Sequence, residues 1–541
     1  MRTSSSGHHI GLLTLSLLGS SLASPAAFAT TAAEIAGLTG ATVFYENGIT
    51  GENASVANIE AGHFWTGHTS LSWVEDDALY TPSGGRGPGA WSATDDATAH
   101  ATAVAQIIAG RDSGSTGSTN WNGIAYGASL YSGSIATDGS ISGNNFSTSS
   151  AIIRAAYEYY FQAGVDVINS SWGGEVTSSS AWITGIINGL AGQYTSTTVV
   201  VAAGNDGSPA GSSTSTVGTP AVGLNVISVG ALNAAGTAVA SYSSRGTVDI
   251  ADSSGNVVGT HVAVQIVTYG TDVTVASTTS NSTGSSTGSG TSYAAPVVAG
   301  AASLLVSAAK SNTSWSDDTI ADATDSRVIK AILMNSATKI EGWDNGQTAV
   351  ESYTFNGTSY SNVIVTTRAL DTRSGAGALN LTSAWSQYIT NASWTLATIA
   401  SGFTDTYTFD ASVSSQSVIT VTLAWYAGYN STDYSISALT DLDLQIWTTD
   451  GDGNLLALLA TSATAADTTE HLSFLLDTDT ATSIAICVVS NGTVIGTENS
   501  VTYALAWDLE FVTSAIPEPA GVAFACGTAM LILVVWRRRA T

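Results

Sequence analysis

The sequence predicts an α/β fold whose doubly wound, mostly parallel sheet is followed by a C-terminal antiparallel β-sandwich. From about residue 30 to residue 380, short β-branched runs alternate with stretches of helical periodicity. Beyond about residue 381, apolar residues recur at every second position instead. Alternating strands and helices favour a parallel sheet with helices on both faces, whereas period-two runs between turn residues are typical of antiparallel sheets.

Two stretches carry the α/β pattern most clearly. A helical pattern at 151–160 precedes a strand-like run at 163–169. A second helical pattern at 181–190 precedes a run at 198–203. The period-two pattern of the C-terminal part is clearest in four runs: 419–425, 442–446, 484–488 and 503–509.

The N-terminus carries a targeting pattern. Arg2 precedes an apolar run at 10–22 and small residues that end in Ala27-Phe28-Ala29. This order predicts a secretory signal peptide over 1–29, cleaved after about Ala29, rather than a core helix. The predicted α/β domain then covers 30–385, and the predicted sandwich covers 386–513.

The last segment, 514–541, combines Pro517-Glu518-Pro519 with an almost wholly apolar run at 520–536 and three arginines. At about 1.5 Å per residue the run nearly spans a bilayer core, and the arginines should stay cytoplasmic. The layout resembles the PEP-CTERM sorting signal, which implies cleavage near the Pro-Glu-Pro motif by an exosortase-type sorting enzyme. A permanent single-span anchor is the alternative. Both predict an exported protein of the cell envelope or surface. An uncleaved tail would hold it in the membrane, and cleavage of the tail would allow its release.

The composition excludes some classes of function. The 541 residues include 14 Lys or Arg against 41 Asp or Glu, which gives a formal net charge of -27. A strongly acidic surface repels phosphate backbones, so we expect no nucleic-acid partner. The two cysteines, Cys487 and Cys526, lie in separate apolar runs, so no disulfide framework is predicted.

Ser292 is the candidate nucleophile. Gly290 leaves room for an approaching substrate, and residues 293–309 have the pattern of a helix, so the Ser292 N–H should point free at the positive end of a helix dipole. A serine there is also an ordinary N-cap. Residues 290–300 (GTSYAAPVVAG) match the active-serine motif of the subtilisin-like serine proteases (peptidase S8 family). This resemblance implies a subtilisin-like fold and an acyl-enzyme on Ser292.

His100 is the candidate general base. It opens residues 100–110 (HATAVAQIIAG), which are similar to the family's histidine motif. The family usually has Gly and His where Ala101 and Ala103 stand here. A purely structural histidine is the alternative.

Glu60 stands where the family usually places the orienting Asp. The family has Asp-Thr-Gly or Asp-Ser-Gly after an apolar strand, and the matching stretch here is 55–63 (SVANIEAGH). A glutamate keeps the charge and can accept a hydrogen bond from the His100 Nδ1–H, but it is one methylene longer. Asp95 and Asp96 are the alternatives.

Asn205 is the candidate oxyanion donor. Residues 199–207 (VVVAAGNDG) form a strand-like run that ends in a turn, and they resemble the family's oxyanion motif. An ordinary Asn-Asp-Gly turn is the alternative. The resemblance also implies that Gly204 and the stretch Ser171, Trp172 and Gly173 bind the substrate.

These residues together predict an exported serine endopeptidase that cleaves proteins or peptides. A sedolisin-type site would use Ser, Glu and Asp, but Asn205 and the His100 motif argue against it. A pseudoprotease, or an adhesive envelope-binding protein, is the non-catalytic alternative.

The resemblance implies no required cofactor and allows a structural Ca²⁺. Asp441 and Asp443 are candidate oxygen ligands, although alternating acids are also the ordinary polar face of a strand. His63 and His68 follow Glu60 and are expected in a solvated loop. Lining the cleft and binding a metal are the alternatives.

Overall fold

The computed structural model describes the central part of the chain and a short C-terminal piece. The described residues are 30–74, 79–80, 98–114, 119–136, 146–177, 180–207, 215–252, 254–278, 285–409, 411–478, 480–511 and 536–539. The predicted signal peptide, almost all of the predicted sorting tail, and the alternative acids Asp95 and Asp96 lie outside them.

The strands of the described chain are β1 Thr30–Thr31, β2 Ser55–Glu60, β3 Leu79–Tyr80, β4 Ser129–Ser134, β5 Val167–Ser170, β6 Thr198–Ala202, β7 Ile227–Leu232, β8 Thr247–Ala251, β9 Val257–Val262, β10 Ile266–Tyr269, β11 Val273–Ala276, β12 Ser285–Gly288, β13 Thr348–Val350, β14 Tyr353–Phe355, β15 Thr358–Tyr360, β16 Val363–Val365, β17 Trp394–Ala400, β18 Thr404–Thr408, β19 Val418–Trp425, β20 Gly428–Tyr429, β21 Ile436–Thr449, β22 Leu455–Ser462, β23 Thr469–Leu475, β24 Ile484–Ile495, β25 Ser500–Asp508 and β26 Trp536–Arg539.

The helices are α1 Ala32–Thr39, α2 Thr42–Glu46, α3 Ala99–Ala109, α4 Ser150–Ala163, α5 Ala181–Gln193, α6 Thr291–Lys310, α7 Asp317–Ala323, α8 Ser326–Asn335 and α9 Leu381–Trp385, which continues as a π-helix over Ser386–Thr390.

The central sheet has seven strands in the order β10-β7-β6-β5-β2-β4-β3. Every neighbouring pair in it is parallel. The predicted parallel sheet is therefore confirmed.

Alternate residues of one strand serve the two faces of this sheet. Val200 of β6 packs in a buried cluster with residues of α3, α6 and α8, whereas Val199 and Val201 pack in a second cluster with α4 and α5. Period-two alternation places neighbouring side chains on opposite faces, so a strand covered on both sides is apolar throughout. Helices on both faces were also predicted, and they are present.

Two further sheets follow towards the C-terminus. The smaller has four strands in the order β17-β25-β19-β23, and the larger runs β13-β16-β22-β21-β24-β18-β26, with β20 beside β21. Leu423 and Tyr503 from the smaller sheet share a buried cluster with Ile446 and Ile486 from the larger. β13 and β16 precede residue 385 in the chain, yet β16 pairs in parallel with β22. The larger sheet therefore includes two strands from 30–385, the segment that the sequence analysis assigns to the α/β domain.

The loop after Glu60 is buried rather than solvated, so that expectation was wrong. His63 and His68 are 4% and 0% exposed. Their Nδ1 atoms lie 2.9 Å from Ser132 Oγ and 2.8 Å from Ser70 Oγ. The loop folds inward because two of its apolar residues, Phe64 and Leu71, are fully buried in the same cluster as α3 and α6.

Three features of this fold converge at one edge of the central sheet. β2 ends at Glu60, β5 is followed by Ser171, and β6 is followed by Gly204 and Asn205. Since all three strands are parallel, their carboxyl ends meet, and such an edge is where α/β sheets place their sites.

Candidate active site

A cleft of about 600 Å³ lies at this edge of the sheet. Its lining includes all eight residues that the sequence analysis assigned to catalysis or substrate binding: Ser292, His100, Glu60, Asn205, Ser171, Trp172, Gly173 and Gly204. Residues that are up to 232 positions apart in the chain therefore meet in one concave surface.

Ser292 is the second residue of α6. Of the neighbouring amides, Thr291 N–H donates to Asn205 Oδ1 (2.8 Å) and Tyr293 N–H donates to the Gly290 carbonyl (3.0 Å). No residue in the described part of the chain accepts from the Ser292 N–H. That donor is therefore available at the positive end of a helix of 20 residues, as an oxyanion requires.

The Ser292 hydroxyl donates to the Ser171 carbonyl oxygen at 3.0 Å. Ser292 and His100 both lie in the described part of the chain, and no hydrogen bond joins them there. Catalytic hydrogen bonds are often loose in the absence of substrate. The Ser292 hydroxyl is thus directed at the Ser171 carbonyl in this structure.

Asn205 is oriented by Thr291. Asn205 Oδ1 accepts from the Thr291 N–H and, at 3.1 Å, from the Thr291 hydroxyl. Because Oδ1 is occupied, the amide presents Nδ2 as its free donor. A Cβ at Gly290 would lie 3.3 Å from that Nδ2 atom, so a glycine keeps this donor uncrowded.

Thr291 is a functional residue that the sequence reasoning missed. It is fully buried, and its hydroxyl also contacts the Gly204 carbonyl (3.2 Å) and the Gly204 N–H (3.1 Å). The signal was present, because a hydroxyl residue at the first position of a helix commonly bonds nearby backbone groups. Only the tertiary structure identifies Gly204 and Asn205 as its partners.

His100 is the second residue of α3, whose N-cap Thr98 accepts a hydrogen bond from the Ala101 N–H. Residues 101–109 of the helix are buried, so the helix is held rigidly while the His100 side chain stays 42% exposed to the cleft. The Tyr293 ring lies beside the imidazole, with 6.2 Å between ring centroids.

Glu60 is buried beside His100. Its Oε2 lies 3.3 Å from His100 Nδ1, and its Oε1 accepts from the Ser171 N–H at 2.9 Å. Burial on its own lowers the pKa of His100, but the hydrogen bond and negative charge of Glu60 outweigh it and raise the pKa above 6.5. Water on the exposed side of the ring screens part of that charge.

Ser171 connects the acid and the nucleophile through its main chain. Its N–H binds Glu60 and its C=O binds Ser292. The sequence placed Ser171 among the substrate-binding residues, and the contacts with Glu60 and Ser292 depend on a tertiary arrangement that no local pattern encodes.

Trp172 and Gly173 form one wall of the cleft. Trp172 is 8% exposed and makes an edge-to-face contact with Phe146, at 6.1 Å between centroids. A Cβ at Gly173 would lie 2.7 Å from the Thr219 carbonyl oxygen, so this wall requires glycine. Gly174 and Thr219 then exchange both backbone hydrogen bonds, which closes the wall.

Asp441 and Asp443, the candidate Ca²⁺ ligands, lie on β21. Burial raises the pKa of both carboxyls, that of Asp443 to about 6, while a hydrogen bond from Asn491 lowers each. Ca²⁺ takes six to eight oxygen ligands. No group of three or more His, Cys, Asp or Glu residues that could hold a metal occurs among the described residues.

α6 is the one helix in the described chain that is long and apolar enough to cross a membrane, and 89% of its most apolar 18-residue stretch is buried within the protein. It is therefore the core helix that carries Ser292. The apolar run predicted at 520–536 lies outside the described residues except for its last position.

Known proteins resemble this chain over its α/β part. Residues 75–377, more than half of the chain, match the model of the subtilase family (peptidase S8). Subtilisin E of Bacillus subtilis (strain 168) is 35% identical over 207 residues, which cover 38% of this chain and 48% of that protein. Subtilisin of Bacillus pumilus is 34% identical over 207 residues, or 38% of this chain and 66% of that protein. The chain thus spans about half the length of the first curated relatives it matches.

Among solved structures, that of the prenylagaramide maturation protease PagA aligns with 64% of this chain and 96% of its own, at a TM-score of 0.43 and 21% sequence identity. The family match is the stronger finding. It includes His100, Asn205 and Ser292, and it begins after Glu60. On this match over more than half of its length, the chain belongs to the subtilase family.

Proposed function

We propose that this protein is a serine endopeptidase that hydrolyses peptide bonds through an acyl-enzyme on Ser292. The observation that carries the proposal is the convergence of Ser292, His100, Glu60 and Asn205 in one cleft, in the roles that acyl transfer requires. Protein or peptide chains are the proposed substrates, and the reaction needs no cofactor.

The reaction begins when the Ser292 hydroxyl turns from the Ser171 carbonyl towards His100. Oγ attacks the scissile carbonyl carbon while His100 Nε2 takes the hydroxyl proton. The oxyanion accepts hydrogen bonds from the Ser292 N–H and Asn205 Nδ2. His100 then protonates the leaving amine. Water next attacks the acyl-enzyme carbonyl while His100 takes a proton from it, and His100 returns that proton to Ser292 Oγ as the acid product leaves.

Glu60 takes the part of the usual aspartate in this proposal. Its longer side chain divides its two oxygens between His100 Nδ1 and the Ser171 N–H. The first contact keeps the imidazole in the tautomer whose Nε2 is free to accept a proton. The second fixes the carboxylate, because a buried carboxylate is stable only when its lone pairs are satisfied.

Substrate would pair with the wall formed by Ser171, Trp172 and Gly173, opposite Gly204. We propose that the buried Trp172 ring narrows one subsite there. The absence of Lys and Arg from the described cleft lining, which includes the exposed acids Glu175 and Asp206, agrees with a neutral or basic substrate rather than an acidic one.

The predicted signal peptide supports export, and the Pro517-Glu518-Pro519 tail supports sorting to the envelope by an exosortase-type enzyme. The shared buried cluster of the two C-terminal sheets supports an antiparallel β-sandwich over 386–513, with strands contributed from before residue 385. The division 1–29, 30–385, 386–513 and 514–541 remains our proposal for the domain organisation.

The test is peptidase activity in Ser292→Ala against Ser303→Ala, a serine of the same helix whose hydroxyl bonds the Ala299 carbonyl. We expect Ser292→Ala to lose at least about 10³-fold in kcat and Ser303→Ala to retain activity. Peptide hydrolysis by Ser292→Ala at the wild-type rate would contradict the proposal. Binding of cell-surface polymer by an inactive wild type would favour the adhesive alternative.

A further inference from the structure

The first two described residues, Thr30 and Thr31, belong to a small sheet that supports the segment leading to Ser292. Thr30 and Thr31 form the edge strand β1, which pairs in parallel with Val273 and Thr274 of β11. β11 pairs antiparallel with β12, and β12 ends at Gly288, four residues before Ser292. A single three-stranded sheet thus joins the start of the described chain to the segment that delivers the nucleophile.

The hydrogen bonds of this sheet lead from Thr30 to Ser289. Thr30 N–H donates to the Asp272 carbonyl oxygen at 2.9 Å. The Asp272 N–H donates to Ser289 Oγ at 2.9 Å, and Ser289 Oγ donates in turn to Asp272 Oδ1 at 3.2 Å. Two residues earlier, the Gly270 carbonyl accepts from the Gly290 N–H at 2.8 Å. The residues immediately before Thr291 are therefore fixed to the 270–272 turn.

The 270–272 turn needs support of this kind. Asp272 has φ +55°, a left-handed conformation that Asp adopts more often than most residues other than glycine, but at an energetic cost that surrounding contacts must offset. Thr30 binds the carbonyl of this same residue. The Thr30 bond and the Ser289 bonds therefore hold Asp272 from both sides.

The strand is itself anchored to the core. Thr31 caps α1 in a reciprocal pair with Glu34: the Glu34 N–H donates to Thr31 Oγ1 (3.2 Å), and the Thr31 N–H donates to Glu34 Oε2 (2.7 Å). Ile35 and Ala36 of α1 are buried in the cluster that contains Val273 and α6. β1 is therefore held in place by the buried helix that follows it.

We propose that Thr30 and Thr31 are positioning residues for Ser292, and that removal of the predicted leader must therefore stop at or before the Ala29–Thr30 bond. This inference rests on the proposed role of Ser292. A cut one residue later removes the bond to Asp272, and a cut two residues later removes the whole strand together with the α1 cap.

Three forms of the exported chain test the proposal, beginning at Thr30, Thr31 or Ala32 and otherwise complete. The readout is the rate of acylation per active site, with active sites counted by a fluorophosphonate probe, alongside KM and the thermal midpoint. We expect the Thr31 form, which keeps the α1 cap, to lose roughly tenfold in acylation rate at nearly constant KM, since small misplacements of reacting groups cost up to about 10²-fold. The Ala32 form should lose at least as much and melt earlier.

Ser289 gives a second test in the complete chain, should the shortened forms fold poorly. Ser289→Ala removes both bonds to Asp272 and should lower the acylation rate per site by roughly tenfold. Ser289→Thr keeps the hydroxyl and should restore most of the rate. Ser286→Ala, an exposed serine of β12, is the matched control and should leave the rate unchanged.

The outcomes separate this inference from the function on which it rests. If the probe fails to label Ser292 in the form that begins at Thr30, both the positioning role and the proposed function are overturned. Normal labelling there, with equal acylation rates per site in all three forms and in Ser289→Ala, would overturn the positioning role alone, whatever happens to the thermal midpoints.

Discussion

Glu60→Gln is the most informative single substitution in the proposed site. Gln has the size of Glu and can still accept from the Ser171 N–H, but it lacks the negative charge 3.3 Å from His100 Nδ1. At that separation two unit charges attract by about 1 kcal/mol in bulk water and about 5 kcal/mol at an effective dielectric of 20. Because His100 is 42% exposed, we take an intermediate value of about 3 kcal/mol, which corresponds to roughly 10²-fold in kcat.

The same substitution has a signed effect on pH dependence. His100 acts as a base only when neutral, so its pKa sets the acidic limb of the kcat/KM profile. Glu60 raises that pKa and burial lowers it. Glu60→Gln removes the raising contribution, and the acidic limb should therefore move to lower pH.

The assay is the pH profile of kcat/KM on a peptide substrate for wild type, Glu60→Gln and Glu158→Gln. Glu158 lies on α4 and pairs with Arg154. Glu158→Gln should change neither kcat nor the pH of the acidic limb. A Glu60→Gln enzyme with wild-type kcat and an unmoved acidic limb would refute the orienting role of Glu60.

Three further predictions follow from the same structure. Asn205→Asp keeps an oxygen for the Thr291 N–H but has no Nδ2 donor, so we expect a loss of about 10²–10³ in kcat at a near-normal thermal midpoint; an unchanged kcat would place the oxyanion donor elsewhere. Trp172→Leu should widen its subsite and shift cleavage of a peptide library towards bulkier side chains; equal cleavage of bulky and small side chains by wild type and variant would count against that subsite. Burial lowers the pKa of Lys330 from 10.5 to about 8, so between these pH values the unfolded chain binds more protons and the free energy of unfolding should rise with pH. Lys330→Met should flatten that rise in denaturant titrations, and a slope equal to that of wild type would contradict the assigned pKa.

Local sequence predicts Ser292, His100 and Asn205 because each sits in one short segment, and each of these segments resembles a motif of the subtilase family. Without that resemblance, a serine at a helix start and an asparagine in a turn are also ordinary cap and turn residues. The parallel sheet was predictable from the local pattern itself, since runs such as Val199–Val201 are apolar at every position only when both faces are covered.

Contacts between distant segments could not be predicted in this way. The Ser171 main chain meets Glu60 and Ser292 only because β2, β5 and α6 converge. Since almost any residue has the same main-chain groups, the residue type at position 171 does not reveal these contacts. The burial of His63 depends likewise on a partner 69 positions away. The pairing of β16 with β22 joins residues about 96 positions apart and places a pre-385 segment in the C-terminal sheet.

A covalent bond between the substrate acyl group and Ser292 is the central claim of the proposed mechanism. Incubation with a slowly deacylating ester, followed by acid quench and peptide mass spectrometry, should find one acyl group on the peptide that contains Ser292. The same adduct should be absent from Ser292→Ala and form far more slowly in His100→Ala. An acyl group on any other residue, or product formation by the wild type with no acylated Ser292 at any time, would contradict it.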